Sequence, residues 1–212
     1  ITREHLEKLN FNVVGAYVSP SHNNHVMSKL GSTEGIHSKH RCKMVEIACS
    51  DSDWIALSSW ESDQPVFVDF GAVTKAIAAY VRTKFPDREF NFFYVCGGDL
   101  FLRCRLFFHS SKQYGVCGLS RPGFKMTEYQ ADTLKKQKDN EKRTFYWLED
   151  DRIGDHSSTK LRQKLLTGDY KSASELTHPD VLAYVKDNLP FYGKSPDADL
   201  EKQWKERFER FS

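Results

Sequence analysis

The amino-acid sequence predicts an α/β fold, a mostly parallel sheet with helices on both faces. Short runs rich in valine and aromatic residues alternate with amphipathic segments along the 212 residues, which is the pattern of alternating strands and helices. The run 91–96, NFFYVC, is continuously apolar, as expected of a strand buried on both faces. No repeat and no low-complexity linker interrupts the alternation. We therefore expect a single domain over residues 1–212, with ligands bound beyond the carboxyl ends of the strands.

The first half of the chain begins with the end of a helix, and we expect His5 on the surface of that helix. The run 11–19, FNVVGAYVS, is rich in valine and aromatic residues and stops before a proline, which predicts a strand. The polar residues 21–38 predict a loop. Apolar residues recur at helical spacing over 37–49, and WIAL at 54–57 predicts a short strand.

The alternation continues with a predicted helix over 69–84. Its predicted apolar face comprises Phe70, Val73, Ile77, Tyr80 and Val81. Strands are predicted at 114–119 and 144–148, on either side of a lysine-rich segment, 125–142, that suits a solvated helix. Two further helices are predicted over 158–166 and 179–189.

Composition and charge exclude some classes of protein. The net charge is +2 and the pI is about 8.2, which is too mild for a nucleic-acid-binding protein but suits small anionic ligands. Five cysteines without a C-x-x-C pair predict free, mostly buried thiols in an intracellular protein of the nucleus or cytoplasm. No apolar run approaches the roughly 20 residues needed to cross a bilayer, so no membrane span is expected. The sequence leaves the oligomeric state open, and a homo-oligomer is compatible with it.

The segment 156–169, HSSTKLRQKLLTGD, carries the strongest local pattern for anion binding. Ser157 and Ser158 suit the N-cap of a helix, whose free amides and dipole attract phosphate. Arg162, one turn later, can donate two charge-assisted hydrogen bonds to the same anion. The segment equally suits an ordinary capped helix with an exposed arginine, and on its own it leaves both interpretations open.

Two other strand ends carry side chains suited to a nucleotide. In CGGD at 96–99, two glycines allow close approach of a ligand to the backbone. Asp99 suits either hydrogen bonds from ribose hydroxyls or the cap of a helix. Arg121, at the end of the strand 114–119, suits either a contact with phosphates or a surface position before a turn.

The first half of the chain adds two further candidates. Trp60 follows the short strand at 54–57 and suits either stacking on a flat, preferably cationic ring of a ligand or packing in a core, for which Trp54 is the better candidate. Lys29 lies in the polar segment 21–38, where a lysine is usually solvated.

Taken together, these segments resemble the eukaryotic nicotinamide/nicotinate mononucleotide adenylyltransferases. SSTKLR is similar to the I-S-S-T-x-x-R pattern of that family, and CGGDLF to its C-G-[AG]-D turn. The remaining matches are GAYVSPSH at 15–22, the block from SKHRCKM to WES at 38–62, and GVCGLSRPG at 115–123. The matches occur in the family's order and cover nearly the whole chain.

The resemblance implies a Rossmann-like nucleotidyltransferase fold. It also implies transfer of AMP from ATP to the mononucleotide, yielding NAD or deamido-NAD and pyrophosphate, with Mg²⁺ bound through the ATP phosphates. The family's phosphate-binding positions correspond to Ser157, Ser158, Thr159 and Arg162. Its positions for the mononucleotide and the nucleoside correspond to Lys29, Trp60, Glu61, Asp63, Gly97, Asp99 and Arg121. Arg162 and Lys29 are the predicted catalytic residues.

Two elements of the family pattern do not occur in the sequence. The family begins with a strand followed by G-x-F-x-P and two histidines, and His5 does not replace the second histidine, because five residues before the next strand are too few for a crossover helix. A Leu-Trp pair expected after CGGDLF is also absent, and Phe107 or Phe108 could substitute for its aromatic ring. We expect residues before Ile1 to supply the first strand and motif. The alternatives are a non-catalytic mononucleotide or NAD sensor on the same fold, and a nucleotidyltransferase with another acceptor.

Overall fold

The computed structural model describes residues 1–154 and 156–188. These residues form two compact units, one built from 1–13 and 70–154 and the other from 14–69 and 156–188. Each unit contains parallel strands and apolar clusters of its own. The expectation of a single domain stays a prediction.

The first unit contains a three-stranded sheet. Its elements are α1 (Thr2–Lys8), α4 (Phe70–Lys84), β3 (Phe92–Gly97), α5 (Gly98–Arg103), a 3₁₀ turn (Leu106–His109), β4 (Tyr114–Leu119), α6 (Glu128–Lys138) and β5 (Phe145–Leu148). The strand order is β3-β4-β5 and both pairings are parallel. The carboxyl ends of all three strands therefore meet at one edge, where Gly97 pairs with Leu119 and Leu119 with Leu148.

The core of the first unit lies against this sheet. Phe101 of α5, Leu106 and Cys117 are fully buried. Phe101 packs against β4 so closely that a Cβ atom on Gly118 would lie 2.6 Å from its ring. This packing fixes α5 directly after the end of β3.

The second unit contains a two-stranded parallel sheet and a helical core. Its elements are β1 (Ala16–Val18), α2 (Asn23–Glu34), α3 (Ser38–Ala48), β2 (Ile55–Leu57), α7 (Ser158–Leu166), α8 (Tyr170–Ala173) and α9 (Pro179–Asn188). The buried residues of the core are Leu165, Ala173, Val181, Leu182 and Val185, with Met44 and Ile47 of α3 packed against them. Leu161 and Leu165 of α7 pack in this core, one to two turns after the start of the helix, and so fix the position of that start.

Most predicted elements are present, but the segment 11–38 is different from the expectation. Only Ala16–Val18 is a strand, because Phe11 packs edge-on against Phe93 at 5.0 Å in a core cluster. The predicted loop contains α2, whose N-cap is His22: its ring accepts a hydrogen bond from the Asn24 amide. A histidine cap and a weak apolar face explain why the polar composition concealed this helix.

Three statements about burial are also corrected. Val95 is 48% exposed, so β3 is not buried on both faces within the described residues. Tyr80 is 57% exposed, with the Lys84 ammonium 5.6 Å from its ring centroid, rather than part of an apolar face. His5 is half-buried beside Tyr146, and its Nε2 atom is buried with no partner among the described residues. It does not lie on the helix surface as predicted.

The five cysteines are free thiols, as expected, but only Cys117 is fully buried, and Cys104 is exposed. Burial raises the pKa of Cys96 and Cys117 to about 12, so these two thiols stay protonated. No helix in the described part of the chain is long and apolar enough to cross a membrane. The predicted C-terminal helix ends at Asn188, and residue 189 lies outside the described ranges.

Candidate functional site

The start of α7 is arranged as a capped helix with a nearby guanidinium. Ser157 is the N-cap in extended conformation, and its Oγ accepts a hydrogen bond from the Lys160 amide at 3.1 Å. Ser158 and Thr159 occupy the exposed first turn. The Arg162 Nη2 donates to Thr159 Oγ1 at 3.3 Å, which holds the guanidinium beside this turn. Hydroxyls and a cation therefore lie side by side at this helix start, and these are kinds of group that bind phosphate.

Arg162 differs from the exposed arginine that the sequence left as an alternative. Only 15% of its side chain is exposed, and its Nε donates to Glu34 Oε2 at 2.9 Å in an ion pair. Glu34 is the last residue of α2, 128 positions earlier in the chain. No sequence pattern singled out Glu34, because only the fold brings it to α7.

Lys29 lies within α2 rather than in a loop, and its side chain is exposed. It forms no ion pair or hydrogen bond with any other described residue. Its position as a phosphate ligand therefore remains a prediction.

The turn after β2 carries two exposed side chains, Trp60 and Asp63, and one buried side chain, Glu61. Trp60 is 38% exposed, which rules out the core position considered for it, and Asp63 beside it is also exposed. Glu61 is buried and accepts a hydrogen bond from Ser19 Oγ at 2.9 Å, which ties the turn to the end of β1. Trp60 and Asp63 are available to a ligand, while Glu61 holds the turn that presents them.

A polar cluster at the starts of α2 and α3 was not found from sequence. Asn23 accepts hydrogen bonds from the Ser38 amide at 2.7 Å and from Arg41 Nη2 at 3.3 Å. Its Nδ2 atom lies 2.9 Å from Nε2 of His37. His37 caps α3 by accepting from the Lys39 amide, as His22 caps α2. The sequence signal that could have indicated these two helix starts is a histidine followed by two polar residues, which occurs as H-N-N at 22–24 and as H-S-K at 37–39.

Burial has a clear effect on the charges of this cluster. It lowers the pKa of His37, and the neighbouring positive charges of His40, Lys39 and Arg41 lower it further. Burial also lowers the pKa of Arg41, against the opposing effects of Cys42 and Glu61. The neutral form of His37 is therefore the one that suits its role as a hydrogen-bond acceptor in the cap.

The first unit holds a separate open pocket of about 290 Å³ at the carboxyl ends of its strands. It is lined by Gly98, Asp99, Arg121, Pro122, Gly123 and Phe124. Arg121 Nη2 contacts Asp99 Oδ1 at 3.3 Å, and both side chains are about half exposed. Gly97, the N-cap position of α5, contributes no side chain, and Asp99 makes no cap hydrogen bond. Of the alternatives for Asp99, the helix cap is thus not the one observed.

The structure distributes the predicted site residues between the two units. The first unit contains Gly97, Asp99 and Arg121, and the second contains Lys29, Trp60, Glu61, Asp63, Ser157, Ser158, Thr159 and Arg162. Within residues 1–154 and 156–188, no group of three His, Cys, Asp or Glu side chains is placed to hold a metal ion.

Comparisons with known proteins agree with the motifs. Residues 3–164 match a family model described as cytidylyltransferase-like. A nicotinamide/nicotinic acid mononucleotide adenylyltransferase from Arabidopsis thaliana is 27% identical over 104 residues, which are 48% of this chain and 42% of that protein. The chain thus matches less than half the length of this curated relative. These findings confirm the resemblance that the motifs predicted, together with the Rossmann-like α/β fold. The family model covers most of the 212 residues, and the chain belongs to the cytidylyltransferase-like family.

Proposed function

We propose that the protein transfers AMP from ATP to nicotinamide or nicotinate mononucleotide, forming NAD or deamido-NAD and releasing pyrophosphate. A 5′-phosphate oxygen of the mononucleotide forms a bond to the α-phosphorus of ATP. The bond between that phosphorus and the bridging oxygen breaks, and pyrophosphate leaves with the electron pair. This reaction needs no protein nucleophile, so positioning and charge neutralisation carry the catalysis.

The start of α7 is the observation that carries the proposal. Ser157, Ser158 and Thr159 supply hydroxyls and amides to the ATP phosphates, and Arg162 neutralises the charge that develops on the departing pyrophosphate. A guanidinium held in place by Thr159 needs little reorganisation when the phosphate arrives.

The acceptor side of the proposed site uses the turn after β2. Trp60 stacks on the pyridine ring, an arrangement favoured by the positive charge of that ring. Asp63 contacts the polar substituents of the mononucleotide, and Glu61 keeps the turn in place through Ser19. Lys29 neutralises the mononucleotide phosphate as it attacks.

The residues proposed for nucleoside binding lie at the pocket of the first unit. Asp99 accepts hydrogen bonds from ribose hydroxyls, and the backbone at Gly97 allows close approach of the ligand. Arg121 contributes positive charge at the same strand ends. Both side chains are exposed enough to exchange their mutual contact for ligand contacts.

Mg²⁺ belongs to the proposal as the ion that accompanies ATP. The described residues contain no cluster of protein ligands for it, and phosphate oxygens are ligands that Mg²⁺ prefers. When bound with ATP, it would neutralise phosphate charge, while Arg162 and Lys29 act on phosphate oxygens directly.

The direct test is a turnover assay of the full-length protein with ATP, Mg²⁺ and each of the two mononucleotides in turn. The proposal predicts NAD from the amide and deamido-NAD from the acid, with at least one formed well above background. Absence of both products from folded full-length protein would contradict the proposal. Binding of mononucleotide by calorimetry without turnover would instead favour a nucleotide sensor.

A further inference from the structure

The ion pair between Arg162 and Glu34 differs from the surface pairs of the same unit. The Arg162 side chain is 15% exposed, whereas the Lys43 side chain in its pair with Glu46 is 51% exposed. Charges that are shielded from water attract each other more strongly than exposed charges at the same distance. The shielding is on the Arg162 side of the pair, since Glu34 is itself 41% exposed, and it makes the attraction stronger than that between Lys43 and Glu46.

The position of this carboxylate opposes the binding of a second anion. Arg162 already donates from Nε to Glu34 while its Nη2 donates to Thr159 in the first turn of α7. A phosphate at that turn would lie close to the Glu34 carboxylate, and two like charges at such a distance repel each other. A phosphate at that turn therefore binds against the repulsion of Glu34 and competes with it for the Arg162 guanidinium.

A kink in the backbone separates Glu34 from the regular part of α2. α2 is broken at Gly31, which has φ 68° and ψ −175°, a left-handed conformation that favours glycine. The Gly35 amide closes the following turn by donating to the Gly31 carbonyl at 3.0 Å. Glu34 lies in this short turn, and 41% of its side chain is exposed. Its carboxylate is therefore partly accessible to water and lies beyond the regular part of α2.

We propose that Glu34 is a displaceable counter-ion for Arg162, which weakens the binding of phosphate groups at the start of α7 and promotes their release. In the proposed reaction the released group is pyrophosphate, and Glu34 returns to Arg162 as it leaves. The inference rests on the proposed phosphate role of Arg162. It assigns to Glu34 the role of limiting the affinity for phosphate groups at a helix start whose other groups attract anions.

The test measures binding of inorganic pyrophosphate to the full-length protein by calorimetry, at about 0.15 M ionic strength. Glu34→Gln removes the charge but keeps an oxygen that can accept from Arg162. We expect it to tighten pyrophosphate binding by roughly three- to tenfold. Glu46→Gln is the matched control, because it removes the same charge from a surface ion pair of the same unit; we expect a change below about twofold.

A double variant separates local from general electrostatics. The tightening caused by Glu34→Gln should disappear when Arg162 is already replaced by alanine. An unchanged or weakened pyrophosphate affinity in Glu34→Gln would overturn the proposal, as would equal tightening in the Arg162→Ala background. If Glu34→Gln does not fold, Glu34→Asp replaces it, and the shortened carboxylate should give a smaller tightening in the same direction. Failure of the proposed function is distinguishable, since it appears as absence of turnover in the wild-type protein.

Discussion

Two arginines among the predicted site residues, one in each unit, form ion pairs that are shielded from water to different degrees. In the first unit, Arg121 contacts Asp99 at 3.3 Å and both side chains are about half exposed. In the second unit, Arg162 contacts Glu34 at 2.9 Å and is largely shielded. Exposed pairs contribute about 0–1 kcal/mol, so ligands can replace the first contact at little cost. The second contact is firmer, which orients Arg162 but also occupies it.

The largest expected effect is a loss of stability on removing Phe101, which packs α5, the helix that carries Asp99 of the first pair. Phe101 is fully buried in α5, two residues after Asp99. Phe101→Ala should lower the free energy of unfolding by about 3–5 kcal/mol, because it leaves a cavity beneath the sheet. Denaturant unfolding measures this loss. Tyr129→Ala, at a position that is 68% exposed in the same unit, is the control; a similar loss there would contradict the role given to the core.

A large effect on activity is expected at the shielded arginine. Arg162→Ala should lower kcat/KM for ATP by about 100-fold, because a preorganised cation is lost from the phosphate site. Steady-state kinetics with saturating mononucleotide measures the change. Arg3→Ala removes an arginine whose side chain is 41% exposed in its pair with Glu7 on α1, and it should leave kcat/KM nearly unchanged. An equal reduction of kcat/KM in both variants would show that Arg162 acts only through its charge and has no specific role at the phosphate site.

A smaller effect is expected at the exposed pair. Asp99→Asn keeps the shape of the side chain but weakens its acceptance of ribose hydroxyls, so the KM for ATP should rise by about tenfold. The measurement is the KM at fixed mononucleotide concentration. Because the Arg121 contact is solvent-exposed, the free energy of unfolding should change by less than about 1 kcal/mol. A large loss of stability with an unchanged KM would show that Asp99 is structural.

The smallest effect is expected in the polar cluster of the second unit. Burial lowers the pKa of His37 below its usual value near 6.5, so the unfolded chain binds a proton more readily than the folded protein. Stability from this group is therefore present above about pH 6.5 and is lost as the pH falls towards the lowered pKa of the folded state. Denaturant unfolding at about pH 7.5 and about pH 5.5 should show a smaller acid-induced loss in His37→Asn than in wild type.

The matched control for this measurement is His22→Asn, which alters the corresponding cap of α2. If His37→Asn and wild type lose the same stability on acidification, the buried histidine does not contribute. A loss reduced to the same extent in both variants would assign the effect to histidine caps in general.

The sequence predicted well those features that depend on neighbouring residues. β4 has the predicted bounds, and Ser157 caps α7 as expected, because a strand of valine and cysteine and a serine before a leucine stripe are both local patterns. The family motifs likewise depend on short spacings. The resemblance was accordingly confirmed by the family match.

Features that depend on tertiary contacts were missed. The contact of Phe11 with Phe93 shortened the predicted first strand. α2 was missed for a local reason, because histidine is an unusual N-cap. The pair of Arg162 with Glu34 joins residues 128 positions apart, so no spacing rule could have indicated it. That pair changes the description of the α7 site from an open anion site to one with an internal counter-ion.

The measurement that tests the central claim most directly follows the α-phosphorus of ATP. Full-length protein is incubated with nicotinamide mononucleotide, Mg²⁺ and ATP labelled at the α-phosphorus, and the products are separated by chromatography. AMP transfer predicts that the label enters NAD in amounts equal to the pyrophosphate released, and that Arg162→Ala slows both together. Consumption of ATP with no label in NAD would contradict the account.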